Sequence, residues 1–219
     1  MTPQLPVNTY VLISMKTKLA RPLGRPRTFD RDEVLDRAVT TFWAKGYSGA
    51  SLDDLTASMG INRPSLYAAF GSKHDLYMAV IDRYAVTLGC QPVAAFHGEP
   101  DIEKAVAAFF VTSIRCVTSK DRPRGCLIAT VAAEDAGEDE RVRHKLSGMF
   151  GEIDRVIADR FRLARENGQL SQESDPRALA RMIVSLTHSF ATRARVGASR
   201  RELSRLAKEF MAVLFPTPI

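Results

Sequence analysis

Apolar residues recur along most of this chain at spacings of three and four, the period of α-helices with one buried face. The first such stripe is Val34, Leu35, Ala38, Phe42 and Trp43. It predicts a helix over 30–46, with Asp30 as N-cap, Glu33 at capping-box spacing and Gly46 as the terminator. Tyr47 falls in the connection. A shorter stripe of Leu52, Leu55 and Met59 follows Ser51 and stops at Gly60. Ser51 suits the cap, and Asp53 and Asp54 place negative charge in the first turn, where the helix dipole favours it. Ile61 then fills the angle before a second short helix. Asn62 caps that helix, and Pro64 sits in its first turn, where a missing N–H costs nothing. Leu66 and Phe70 face inward, leaving Arg63, Ser65, Tyr67, Ala68 and Ala69 outward. Ser72 and Asp75 open a fourth helix, whose apolar face of Leu76, Tyr77, Val80, Ile81 and Tyr84 runs to about Leu88.

Beyond it, Pro92, Gly98 and Pro100 predict a loop over 91–100. Helical periods resume from Asp101 to about Ser119, and Asp121–Gly125 reads as a turn. The stretch from Cys126 to Ala133 is apolar on all sides, which predicts a short buried helix. A long helix follows from about Asp139 to Glu166, ended by Asn167 and Gly168. Two amphipathic helices close the chain. One is capped by Asp175 with Pro176 at its first position and runs to Val196. The other is capped by Ser199 and carries Leu203, Leu206, Phe210, Val213 and Leu214. The fold class predicted is all-α. Two short helices about a glycine turn, the second with small and polar outward residues, describe a helix-turn-helix that reads DNA.

Composition sharpens this picture without changing it. The 219 residues are 45% hydrophobic and 26% charged, a globular balance. The net charge of +6 favours a polyanionic partner only mildly; its distribution says more. Lys16, Lys18, Arg21, Arg25 and Arg27 occupy a segment without acids, next to the helix-turn-helix, whereas 134–140 is strongly acidic. Residues 1–27 hold prolines and no helical period, so they read as a flexible basic arm. An extended Gly24-Arg25-Pro26-Arg27 suits a narrow minor groove, through Arg25 and Arg27; the alternative is a solubilising tail. Cys90, Cys116 and Cys126 form no metal or disulfide pattern, which fits a reducing cytosol. No apolar run is long enough to span a bilayer. Tyr10–Met15 is followed, not preceded, by basic residues, which argues against a signal peptide, and Met15 is a second candidate start.

Several of these residues together resemble one family. Gly24-Arg25-Pro26-Arg27, Ala38-x-x-x-Phe42-x-x-x-Gly46-Tyr47, Ser51-Leu52-Asp53-Asp54-Leu55, Gly60-Ile61, Ser65-Leu66-Tyr67-x-x-Phe70 and Lys73-x-x-Leu76 are similar to the N-terminal domain of the tetracycline-repressor (TetR) family. The resemblance covers residues 24 to about 85. It implies a homodimeric repressor that binds a double-stranded DNA operator. The expected organisation is a basic arm over 1–27, a three-helix reading domain over 28–72, and a helical ligand-binding and dimerisation domain over 73–219. By position, Arg63, Ser65, Tyr67 and Ala69 match the family's base- and backbone-contacting positions, and Ser51 and Lys73 its phosphate contacts. Lys73 also stands at a helix start, where free N–H groups attract phosphate. Ala68 and Ala69 depart from the bulkier residues often found there, which puts more weight on Arg63 and the arm. The helices at 176–196 and 199–214 are the expected dimer bundle.

A regulator of this kind needs an effector site. Tyr84, Phe96, Phe109, Phe110, Ile114, Met149, Phe150 and Ile153 supply a lining suited to a small apolar molecule; taken singly, each reads more readily as plain core, and only the group carries the expectation. Cys126 follows Gly125 near Arg122 and Arg124, where a helix start and positive charge favour a thiolate. Gly-Cys-Leu here also resembles a subset of the family that senses electrophiles or oxidants, so a cysteine-based repressor is an alternative. Ligand binding or Cys126 modification is expected to tilt the helix at 73–88. A ligand-free architectural DNA binder is a further alternative. His97, His144 and His188 share no ligand spacing, so no metal or cofactor is expected. The chain has no nucleophile-elbow, P-loop, HExxH or dinucleotide glycine motif, and no enzyme is predicted.

Overall fold

The structure, a computed structural model, describes residues 29–216. These are helical with no strands among them, and they divide into two compact units, one ending at Cys90 and the other beginning at Gln91. No helix among the described residues is long and apolar enough to cross a membrane.

The first unit holds α1 (Arg31–Gly49), α2 (Leu52–Met59), α3 (Arg63–Phe70) and α4 (Lys73–Tyr84). Asp30 caps α1 by accepting from the Asp32 N–H at 2.8 Å. Gly46 takes φ 73 and ψ 174 inside α1, a break only glycine tolerates readily, so regular helix ends where expected. The bend sends Tyr47 onto Phe42 and Tyr77, at ring separations of 6.3 and 5.1 Å. Phe42, Leu55, Leu66, Leu76 and Tyr77 are fully buried, one each from α1, α2 and α3 and two from α4. Each such side chain contributes about 1.5–3 kcal/mol of burial, so this core, more than any surface pair, holds the helices together. α4 continues as a wide π-helical turn, Ala85–Gly89.

The Arg83 guanidinium of α4 reaches across to α1. Its Nε and Nη2 donate to the two Asp36 oxygens at 2.7 and 2.8 Å, and Nη1 donates to Asp32 at 2.8 Å. α4 therefore packs with α1, inside the compact unit that ends at Cys90.

The second unit holds α5 (Gln91–Gly98), α6 (Ile102–Val117), α7 (Glu140–Glu166), α8 (Pro176–Arg195) and α9 (Arg200–Leu214). α5 corrects the loop expected over 91–100. Pro92 lies in its first turn, where proline is harmless, and Val93 and Phe96 are buried three residues apart. Phe96 contacts Phe109 and Phe161, at 5.9 and 5.7 Å between centroids, and Phe110 contacts Phe190 and Phe210 at 5.7 and 5.8 Å. This ring cluster ties α5, α6, α7, α8 and α9 together. The apolar stretch after Cys126 is buried as expected, but as a π-helical segment, Leu127–Ala132, followed by one short turn, Ala133–Asp135.

Gly125 leads into that segment with φ 92, and its N–H donates to the Val117 carbonyl at 2.9 Å. A Cβ there would stand 3.1 Å from the Ala191 carbonyl oxygen of α8 and 3.4 Å from Thr130 Oγ1. Gly125→Ala combines backbone strain with this close approach and should destabilise the chain by about 1–3 kcal/mol, measured by denaturant unfolding. An unchanged unfolding midpoint would refute the tight α8 contact.

Candidate nucleic-acid interface

The reading surface is built from three consecutive helix starts. Ser51 caps α2. Its hydroxyl accepts from the Asp54 N–H at 3.1 Å and donates to Asp54 Oδ2 at 2.8 Å, while its own N–H donates to the same carboxylate. Asp54 also pairs with Lys45 of α1 at 2.6 Å. The Lys45 contact first, and the two Ser51 bonds after it, lower the Asp54 pKa from 3.8 to about 2. Gly60 ends α2 in the left-handed conformation at φ 68, and the Ile61 N–H reaches back to the Thr56 carbonyl at 3.2 Å. This return fixes the turn between the reading helices.

Asn62 then caps α3, accepting from the Ser65 N–H at 2.8 Å. Leu66 and Phe70 are buried under α3, as expected, and Arg31 lies over the Phe70 ring at 4.8 Å. Arg63, Tyr67 and Ala68 are exposed; Ser65 and Ala69 are half-buried on the flanks. Tyr67 is 47% exposed, a large polar-tipped ring left in solvent. Ser72 caps α4 through a second reciprocal box with Asp75. Lys73 is the first residue of α4, and its ammonium lies 4.5 Å from the Tyr47 ring centroid. The six candidate residues from Ser51 to Lys73 thus come from the N-terminal turns of α2, α3 and α4 and from the outer face of α3. Arg25 and Arg27 lie outside the described residues.

Two features of this surface escaped the sequence. Arg63 is held by Asp53: its Nε and Nη2 donate to Asp53 Oδ1 at 3.2 and 2.7 Å. Opposite charges in the first turns of two helices joined by a tight turn are the signal that predicts such a pair. Tyr47 lies beneath Lys73, which an aromatic residue directly after a helix-breaking glycine makes possible.

The residues expected to line an effector site are divided between the units. Tyr84 is buried in the first, edge-on to Trp43 at 5.2 Å. Phe96, Phe109, Phe110 and Ile114 are buried in the second, the three phenylalanines within its ring cluster. Met149, Phe150 and Ile153 on α7 are half-buried. Phe150 lies 4.9 Å from the His188 ring of α8; burial lowers the His188 pKa, while Asp154 opposes that shift. Cys126 is half-buried with extended backbone, φ −130 and ψ 129. The Arg124 guanidinium beyond it donates to the Ala198 carbonyl. Among the described residues, no group of His, Cys, Asp and Glu is placed to hold a metal ion.

The lowered Asp54 pKa fixes a sign. Its carboxylate stabilises the folded chain at pH above the unfolded value near 3.8, and that contribution is lost as pH falls through about 2. Asp54→Asn should therefore flatten the fall in stability between those two values, followed by circular dichroism during denaturant unfolding at stepped pH. An unaltered acid profile would refute the Lys45–Asp54–Ser51 arrangement.

Known proteins share this architecture. Residues 34–80 match the model of bacterial regulatory proteins of the tetR family, and residues 103–210 match the tetracyclin repressor-like C-terminal domain. The HTH-type transcriptional repressor ComR of Escherichia coli is 33% identical over 188 residues, 84% of this chain and 88% of ComR. The uncharacterized HTH-type transcriptional regulator YezE of Bacillus subtilis is 26% identical over 162 residues, 74% of this chain and 84% of YezE. Among solved structures, a cysteine mutant of the TetR family transcriptional regulator CifR, complexed with 26bp double-strand operator DNA, is 35% identical. It superposes with a TM-score of 0.81 over 88% of this chain and 100% of its own. With its capped reading helices, exposed α3 face and matches in both units, this chain belongs to the TetR family of DNA-binding transcriptional regulators, which are not enzymes.

Proposed function

We propose that this protein is a cytoplasmic homodimeric repressor released from a palindromic operator by a small, largely apolar effector. The exposed face of α3 is the observation that carries this reading. It offers Arg63, Tyr67 and small neighbours to a major groove, flanked by capped helix starts at Ser51 and Lys73 suited to phosphates. CifR, which shares the fold, has been solved on operator DNA, and that supports the same use here. In this assignment Arg63 reads a base, Ser65, Tyr67 and Ala69 contact bases or backbone, and Arg25 and Arg27 of the arm enter the adjoining minor groove.

The dimer assignment is supported by apolar side chains that one copy leaves in water. Met182 on α8 is 47% exposed and Val213 on α9 is 78% exposed. A bundle of these two helices with their partner's equivalents would cover both. Phe109, Phe110, Ile114, Met149, Phe150 and Ile153 are the proposed effector contacts. The effector then acts by binding more tightly to the state that holds DNA poorly, and DNA affinity falls by linkage. Cysteine modification is a second route, supported by the partial exposure of Cys126 between Gly125 and the π-helical segment.

Selection of bound duplexes from a random pool tests the reader. Arg63→Ala should relax preference at one position per half-site, costing about 1–3 kcal/mol of discrimination; an unchanged selected sequence contradicts the assignment. A small-molecule screen for release of the selected duplex, with and without thiol alkylation, then separates an effector from a cysteine switch. Val213→Glu puts a charge into the proposed bundle and should yield monomers by sedimentation, with weakened operator binding. A variant that sediments as wild type would place the dimer contact elsewhere.

A further inference from the structure

We infer that Asp53 is a positioning residue for DNA reading: it grips one edge of the Arg63 guanidinium and so selects base contact over phosphate contact. The inference rests on the assignment of Arg63 as a base-reading residue made above. Asp53 lies in the first turn of α2, and Arg63 is the first residue of α3. Both Nε and Nη2 of Arg63 converge on one oxygen, Asp53 Oδ1, at 3.2 and 2.7 Å. The guanidinium is a rigid plane, so fixing its Nε–Nη2 edge also fixes where Nη1 points. Nη1 has no partner among the described residues, which leaves that end for a ligand.

Two consequences follow from elementary electrostatics. A long, unrestrained arginine loses rotamer freedom when it binds, and one already held loses less. The Asp53 carboxylate also offsets the arginine charge. Phosphates attract any cation regardless of sequence, so the compensated pair gains little from non-specific DNA. A guanine presents two acceptors, N7 and O6, in one plane, a geometry that the oriented fork still satisfies. Asp53 thus trades general attraction for selectivity. Stability is not its main contribution, because the two side chains are 79% and 54% exposed, and such pairs add little. Asp53 does favour the α2 dipole, but that effect is independent of Arg63.

A double-mutant cycle on the full chain separates these effects. Affinities are measured for the selected operator and for a scrambled duplex of equal length and composition, at two salt concentrations, with thermal midpoints as the folding control. Asp53→Ala should tighten binding to the scrambled duplex and lower the operator-to-scrambled ratio about tenfold. In the Arg63→Ala background, the same substitution should change that ratio by less than about twofold. An equal drop in both backgrounds would reduce Asp53 to a helix-dipole residue and overturn the inference. So would a wild-type ratio for Asp53→Ala alongside a lowered ratio for Arg63→Ala. A wild-type ratio for Arg63→Ala itself would instead remove the reading of Arg63, and the role of Asp53 with it.

Discussion

The two helices proposed to read DNA have eight residues each, and neither is long enough to persist alone. Everything else in the first unit serves to hold them at a fixed angle. The buried side chains of Phe42, Leu55, Leu66, Leu76 and Tyr77 supply most of the energy. The polar contacts supply direction. Ser51, Asn62 and Ser72 start each helix at one residue, and Gly60 closes the turn between α2 and α3. Lys45–Asp54 and Arg83–Asp36 join α1 to α2 and to α4 at solvent-facing seams. Exposed pairs of this kind add little stability.

That arrangement leaves α3 with a buried edge and an exposed face, and the proposed function rests on the exposed face. Ala68 and Ala69 are small, so under the proposed function the backbone of α3 would approach a groove floor closely and its long side chains would carry recognition. Arg63 and Tyr67 are those side chains. Arg63 is already engaged by Asp53 at the first turn of the helix, a preorganised placement where an exposed arginine would otherwise wander. Lys73 rests over the Tyr47 ring, which limits its freedom in the same way.

Much of this was legible in the sequence because the signals are local. Cap residues, glycine stops and three-four spacing placed the reading helices and the last three helices, since each depends on a few consecutive residues. Proline misled at 91–100: Pro92 looks like a breaker in isolation, and only the burial of Val93 and Phe96 against distant helices makes α5. The π-helical segments at Ala85–Gly89 and Leu127–Ala132 carry no signature in the three-four spacing that marks ordinary helix. In the site, exposure of α3 residues could be read from the inward positions of Leu66 and Phe70. The Asp53–Arg63 pair has only a weak signal, opposite charges in two successive first turns, and its contact depends on the angle between the two helices. Phe109 and Phe110, each more readily core than pocket when taken singly, lie in the ring cluster of the second unit.

Under the proposed function, a pre-assembled reading unit meets DNA through the starts of α2, α3 and α4 and the face of α3. Nuclear magnetic resonance of the 15N-labelled protein, titrated with its selected operator duplex, tests this most directly. The largest shifts among residues 29–216 are expected at Ser51, Asp53, Arg63, Ser65, Tyr67, Ala69 and Lys73. The Arg63 Nε–H signal should be present before DNA is added and move when it binds. Largest shifts on α5 to α9, or an α3 whose signals appear only with DNA, would contradict it.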